Sequence, residues 1–207
     1  MVTHELRSRI ITGFLLSAAF LGIYFYLPIW VLSACFMLVL IAILCFEWPK
    51  LQCWLLTPLY PVAPFIFLVL LNQSSARVLL LLLIIMVVTH DSGAYFIGKR
   101  WGKHKIAPSI SPGKSWEGFA AGYIASCCAT WCFFAYNNTP VFVLFLLSFT
   151  LLINSAALVG DLFESYLKRR VHLKDTGNIL PGHGGLLDRC DSLMFSGIIM
   201  YLLRNFL

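Results

Sequence analysis

Asp161, Glu164, Ser165 and Lys168 stand at offsets of 0, 3, 4 and 7, which puts four side chains on one face of a helix. Asp188 and Asp191, three apart, share a face in the same way. Carboxylates gathered from two helices bind a hard cation such as Mg2+, which takes oxygen ligands and leaves positions open to phosphate. The same acids fit, equally well on spacing alone, a solvated edge of ion pairs with Lys168, Arg169, Arg170 and Arg189. The stretch between the two groups runs from Lys174-Asp175 to Gly182-His183-Gly184-Gly185. Its glycines let backbone amides approach an anion, and they stand just before a helix start whose dipole favours phosphate. Cations, carboxylates and glycines alternating over one stretch fit a metal–triphosphate site. His183 is the one histidine to which we assign a role, positioning with a general-base role left open; His104 and His172 read as surface residues.

A second, earlier stretch has a similar character. Asp91 closes one apolar run, and Lys114-Ser115 precede the next, where they are placed to hold another anion at a helix start. Positive-inside residues with Trp101 and Trp116 as interfacial anchors are an equal reading.

The elements that must carry these residues are membrane helices. Of 207 residues, 60% are hydrophobic and 12% charged, about half the charged fraction of a soluble domain. About seven apolar runs come close to bilayer-spanning length: 10–27, 29–46, 57–71, 77–97, 116–136, 141–159 and 186–207. The first reads as a retained span rather than a cleaved leader. The third is broken by Pro58, Pro61 and Pro64 and is expected to kink or re-enter. The expected fold is all-α, a polytopic transmembrane helix bundle. It divides into N-terminal membrane spans, 1–75, and a catalytic membrane domain, 76–207.

With the N-terminus cytoplasmic, all 15 Lys and Arg except Arg77 and Arg204 fall on the cytoplasmic side. Loops 98–115 and 165–189 then share that side. The formal charge of +6 is explained by this topology and gives no support to a nucleic-acid partner. The seven cysteines show no metal-ligand spacing and read as small core residues.

Ser165, Lys168-Arg169, Lys174-Asp175, Pro181, His183-Gly184-Gly185 and Asp188-Arg189 with Asp191 resemble the signature of the phosphatidate cytidylyltransferases, or CDP-diacylglycerol synthases. The Asp91 segment and Ser111-Pro112-Gly113-Lys114-Ser115-Trp116-Glu117-Gly118 are similar to that family too, so the resemblance runs from about Thr89 to the C-terminus. It implies that CTP and phosphatidic acid give CDP-diacylglycerol and pyrophosphate. It also implies a metal centre on Asp161 and Asp188, and a homodimer. Compactness and the resemblance together point to a bacterial plasma membrane.

On that reading Asp161, Asp188 and Asp191 hold Mg2+, with a second cation left open. Lys168 and His183 act at the reacting phosphates. Ser165, Arg169, Lys174, Asp175, Gly184, Gly185, Arg189, Lys114 and Ser115 contact substrate. Two other readings stay open: a CTP-dependent polyprenol or lipid kinase, and a transporter or channel. The second is disfavoured because the charges gather at one membrane face instead of the midplane.

Overall fold

The computed structural model describes Gly13, Leu15 and residues 17–177 and 184–206. Helices dominate. In chain order they are α1 (Ser17–Tyr26), α2 (Ile29–Leu51), α3 (Trp54–Gln73), α4 (Val78–Trp101), α5 (Trp116–Tyr136), α6 (Val143–Arg170) and α7 (Leu187–Leu203). Five of them, α2 to α6, are long and apolar enough to cross a membrane. The expected first span, 10–27, lies partly outside the described residues, and its described helix is the 10-residue α1. Helix α7 has 17 residues and opens with Asp188, Arg189 and Asp191.

The other boundaries move mainly outward. Helix α4 runs on past Asp91 to Trp101, with Lys99 and Arg100 in its last turn, where basic side chains complement the helix dipole. Helix α6 has 28 residues, or about 42 Å at 1.5 Å per residue, against a hydrocarbon core of about 30 Å. The helix is therefore longer than a bilayer crossing requires, and its C-terminal part carries Asp161, Glu164, Ser165 and Lys168. The expected break in the third span is present. Its first turn is a tight 3-10 segment at Trp54–Leu56, followed by a wide π segment at Pro58–Val62 in which Tyr60 has extended backbone angles.

The expectation of an all-α chain holds, with one small addition. Between α4 and α5 the chain forms a small antiparallel hairpin, β1 (Lys105–Ala107) and β2 (Ser111–Ser115), pairing Lys105 with Ser115 and Ala107 with Ser111. The stretch 98–115 is thus a helix end plus a hairpin rather than an open loop. Contacts at both ends hold the hairpin. Glu117 accepts from the backbone N–H of His104 (3.1 Å) and lies 2.6 Å from its Nδ1, while Arg169 donates to the carbonyl of Ile110 at the turn (3.2 Å).

Two apolar clusters fill the interior. One joins α2, α3, α4, α6 and α7 around Leu68, Leu80, Leu83, Met86, Ile153 and Met200. The other joins Ile43, Trp48 and Leu51 of α2, Tyr60 and Phe65 of α3, Leu167 of α6, and Leu187 and Met194 of α7. Residues on both sides of position 75 share each cluster. Outside, Leu55, Phe25, Trp30 and Leu38 stand exposed. An apolar surface of this kind suits a lipid solvent.

Helices α4 and α5 approach most closely through small residues, the usual basis of tight packing in lipid. A Cβ added at Gly122 would lie 2.5 Å from the carbonyl oxygen of His90. The substitution Gly122→Val is expected to force the pair apart and cost about 1–3 kcal/mol. A lowered melting temperature of the purified chain in detergent checks this.

Candidate active site

The face predicted on α6 forms as spaced. The hydroxyl of Ser165 donates to Asp161 Oδ1 at 3.3 Å, and Lys168 Nζ donates to Glu164 Oε2 at 3.2 Å. The two helix faces also meet. Lys168 Nζ reaches across to Asp188 Oδ1 of α7 at 2.6 Å. Asp191, one turn further along α7, is buried, and its carboxylate lies beside that of Glu164 and within electrostatic range of Asp161. Gly160 permits this approach, since a Cβ there would collide with the backbone of Asp191.

Lys114 completes the group from the other side. Strand β2 carries it over the end of α6, where its ammonium pairs with Asp161 Oδ2. Its neighbour Ser115 is buried and caps α5 by accepting from the N–H of Gly118 at 3.2 Å, so it fixes the turn from strand to helix. Four carboxylates and two ammonium groups are thus linked pairwise into one line of neighbours: Lys114, Asp161, Asp191, Glu164, Lys168 and Asp188. Glu164 is fully buried, and its Oε1 has no hydrogen-bond partner.

Beside this line lies a cavity of about 310 Å3 between α4, β2, α5 and α6. Its polar lining includes His90, Asp91, Tyr95, Lys114, Ser115 and Asp161, and its apolar lining includes Ala94, Phe119 and Leu158. Asp91 belongs to the cavity wall, half-way along α4 and not at its end.

Other predicted residues are placed differently. Arg169 turns to the carbonyls of Ile110 and Leu173, at 3.2 and 2.8 Å. Lys174 and Asp175 are exposed, as is Arg189 in the first turn of α7. Gly184 adopts a left-handed backbone conformation, φ +83°, next to Asp188. The N–H of Gly185, expected to meet a triphosphate, instead donates to Asp188 Oδ2 at 2.8 Å. That oxygen also accepts from the N–H of Thr176 at 3.1 Å. Gly182 and His183 lie outside the described residues.

Sequence reasoning missed Glu47. It is the last residue of a π segment in α2, Ile43–Glu47, and is fully buried. Its Oε1 accepts from the N–H of Leu186 at 2.7 Å and its Oε2 from the N–H of Leu187 at 2.8 Å. The glycine-bearing turn before α7 does hold an anion, but the anion is a side chain of the same protein. The available signal was a lone acid at the end of a long apolar run, which is costly unless it is paired.

The donor set suits a hard divalent cation: every candidate ligand is a carboxylate oxygen, and one buried oxygen lacks a partner. Among the described residues, no three acid, histidine or cysteine groups converge on one point, and lysines engage Asp161 and Asp188.

Residues 46–207 match the Cytidylyltransferase family. The chain is 48% identical over 113 residues to a phosphatidate cytidylyltransferase of Bacillus subtilis, covering 55% of this chain and 42% of that protein. It is 43% identical over 123 residues to one of Mycobacterium leprae, covering 58% and 38%. A third, from Staphylococcus aureus, is 47% identical over 105 residues, covering 51% and 40%. The matched stretch thus spans about two fifths of the length of each of these relatives.

Lys168 is the hinge of the line. Replacing it with methionine leaves the carboxylates of Glu164 and Asp188 without their ammonium partner. The expected cost is about 3–5 kcal/mol, as for breaking any buried pair from one side. Denaturant unfolding of Lys168→Met in mixed micelles measures it.

Proposed function

The chain belongs to the cytidylyltransferase family, and we propose that it transfers the cytidylyl group of CTP to phosphatidic acid, giving CDP-diacylglycerol and pyrophosphate. One observation carries this reading beyond the family. A line of carboxylates and lysines borders a cavity that is ionic at Lys114 and Asp161 and apolar at Ala94, Phe119 and Leu158. A diacyl lipid with a phosphate headgroup needs such a boundary, because its chains stay in the bilayer while its phosphate meets the nucleotide. The relatives named phosphatidate cytidylyltransferase support the same substrate pair.

In the reaction a phosphate oxygen of phosphatidic acid attacks the α-phosphorus of CTP. A new P–O bond forms, and the bond from the α-phosphorus to the bridging oxygen breaks. The electron pair leaves with pyrophosphate. The nucleophile is already an anion, so no strong base is required. Repulsion between two polyanions is the main obstacle. Lys114 and Lys168 stand where they screen it, with Arg169, Lys174 and Arg189 at the exposed edge.

Asp161, Asp188 and Asp191 are the residues that would hold Mg2+, which when bound supplies charge neutralisation for the triphosphate. Lys114 and Lys168, which pair with Asp161 and Asp188, lie within reach of the same carboxylates and would supply positive charge to the phosphates. Ser165, hydrogen-bonded to Asp161, orients that carboxylate. His183 is given a positioning role.

The same proposal sets the N-terminus and the site on the cytoplasmic face of a bacterial inner membrane, with α1 and α7 bringing the spans to seven. The segregation of Lys and Arg supports it. It further takes the active unit as a homodimer, as the family resemblance implies.

The direct test supplies the purified chain, in detergent–lipid micelles, with CTP labelled in cytidine, Mg2+ and phosphatidic acid. Label entering the lipid, with pyrophosphate released and both abolished by EDTA, is the expected result. Label that stays in water-soluble products overturns the reading. In the same assay Asp161→Asn is expected to lose nearly all turnover while remaining inserted and folded. Turnover near that of the wild type would remove the metal assignment.

A further inference from the structure

We infer that Glu47 is a positioning residue for the transfer site, holding the start of α7, and with it Asp188 and Asp191, in register with α6. The inference rests on the cytidylyl-transfer reading above and adds a residue from the N-terminal spans.

Three observations converge. First, the carboxylate of Glu47 is fully buried, and its donors among the described residues all belong to the segment that leads into α7. These are the amides of Leu186 and Leu187 and the hydroxyl of Thr176, at 2.7, 2.8 and 3.1 Å. The amides belong to the set that a helix start leaves without intrahelical partners, and a negative charge there also meets the positive end of the dipole.

Second, the backbone around the carboxylate leaves it room. A Cβ at Gly177 would lie 2.8 Å from Glu47 Oε1, and one at Gly185 would lie 2.8 Å from both carboxylate oxygens. The Glu47 carboxylate thus occupies space that a side chain at either position would enter, and at Gly185 the Oγ1 of Thr176 lies closer still. Lys50, one turn beyond Glu47, adds a second tie by donating to the carbonyl of Thr176 at 2.9 Å.

Third, the same segment carries the contacts of Asp188. Thr176 and Gly185 donate their N–H groups to Asp188 Oδ2, at 3.1 and 2.8 Å. Moving the segment therefore moves the carboxylate that Lys168 holds, and Asp191 follows one turn later. Glu47 reaches its place because the π segment Ile43–Glu47 widens the last turns of α2 and brings Ile43, Glu47, Trp48 and Leu51 to the interior together.

The test compares Glu47→Gln and Glu47→Asp with the wild-type chain in lipid micelles. The glutamine variant keeps the shape but turns one acceptor into a donor that faces a donor. Three quantities are read: cytidine transfer to phosphatidic acid, thermal unfolding, and the rate of tryptic cleavage after Lys174, identified by mass. In Glu47→Gln, kcat is expected to fall about 10–100-fold, as for loss of a group that orients ligating residues. The KM for CTP should change less than kcat. Cleavage after Lys174 should accelerate while the folded fraction at the assay temperature stays at the wild-type level. Glu47→Asp, which keeps the charge, is expected to recover part of kcat.

Wild-type kcat and wild-type cleavage in Glu47→Gln overturn the inference. A fall in kcat explained wholly by a lower folded fraction also overturns it, and Glu47→Asp then shows whether charge or bulk was lost. A wild-type chain that transfers no cytidine removes the proposed function instead. In that case the cleavage rates still decide whether Glu47 anchors the segment.

Discussion

A carboxylate inside an apolar helix bundle persists only when donors surround it, and this condition shapes the end of the bundle that carries the acidic residues. Glu47, Glu164 and Asp191 are buried, and Asp188 nearly so. Water satisfies few of their oxygens, so the protein must. Backbone amides at the start of α7 serve Glu47, the amides of Thr176 and Gly185 serve Asp188, and lysines serve Asp161, Glu164 and Asp188. Several kcal/mol attach to each unpaired charge at such depth. The elements that bring donors, namely the hairpin, the turn before α7 and the bend of α2, are therefore as necessary to the site as the acids themselves.

The helices divide the work by length. Helix α6 is longer than a bilayer crossing requires and carries the acidic face in its C-terminal part. The first turn of α7 meets that face through the Lys168–Asp188 pair. The hairpin closes the third side and hands over Lys114. None of these elements holds the cluster alone. The apolar cluster around Trp48, Leu167, Leu187 and Met194 lies directly beneath and keeps α2, α6 and α7 at fixed spacing.

Much of this was legible from side-chain spacing. The 0, 3, 4, 7 pattern on α6 and the three-residue step on α7 specify faces, and the structure joins those faces through Lys168 and Asp188. Helix positions were legible because apolar runs of bilayer length have few other folds available. Less legible was where α4 ends, since charged residues continue it to Trp101 without an apolar signal, whereas the spacing from Asp161 to Lys168 already marked the continuation of α6. The hairpin was missed because Lys105–Ala107 and Ser111–Ser115 are too short to show alternation. Glu47 was missed for a different reason: it stands 139 and 140 positions from the amides it binds, and no local pattern encodes such a pairing. Glycines near a helix start mark a place where backbone amides can meet an anion, but composition does not say whether that anion is a ligand or a side chain.

The hydroxyl of Thr176 lies 3.1 Å from Glu47 Oε2 and 3.1 Å from Asp188 Oδ2. It carries a single hydrogen, which can point fully at only one of the two oxygens. Two carboxylates on different helices are therefore joined by a rotor with one torsion angle and no heavy-atom travel. Any change in the electric field at Asp188, such as an arriving cation or a departing ammonium, biases that torsion. The solvation of Glu47 is altered in the same instant. Such a rotation belongs to the picosecond–nanosecond range of side-chain motion. The N-terminal helices and the acidic face of α6 and α7 are thus linked electrically by one O–H bond, well before any backbone shift.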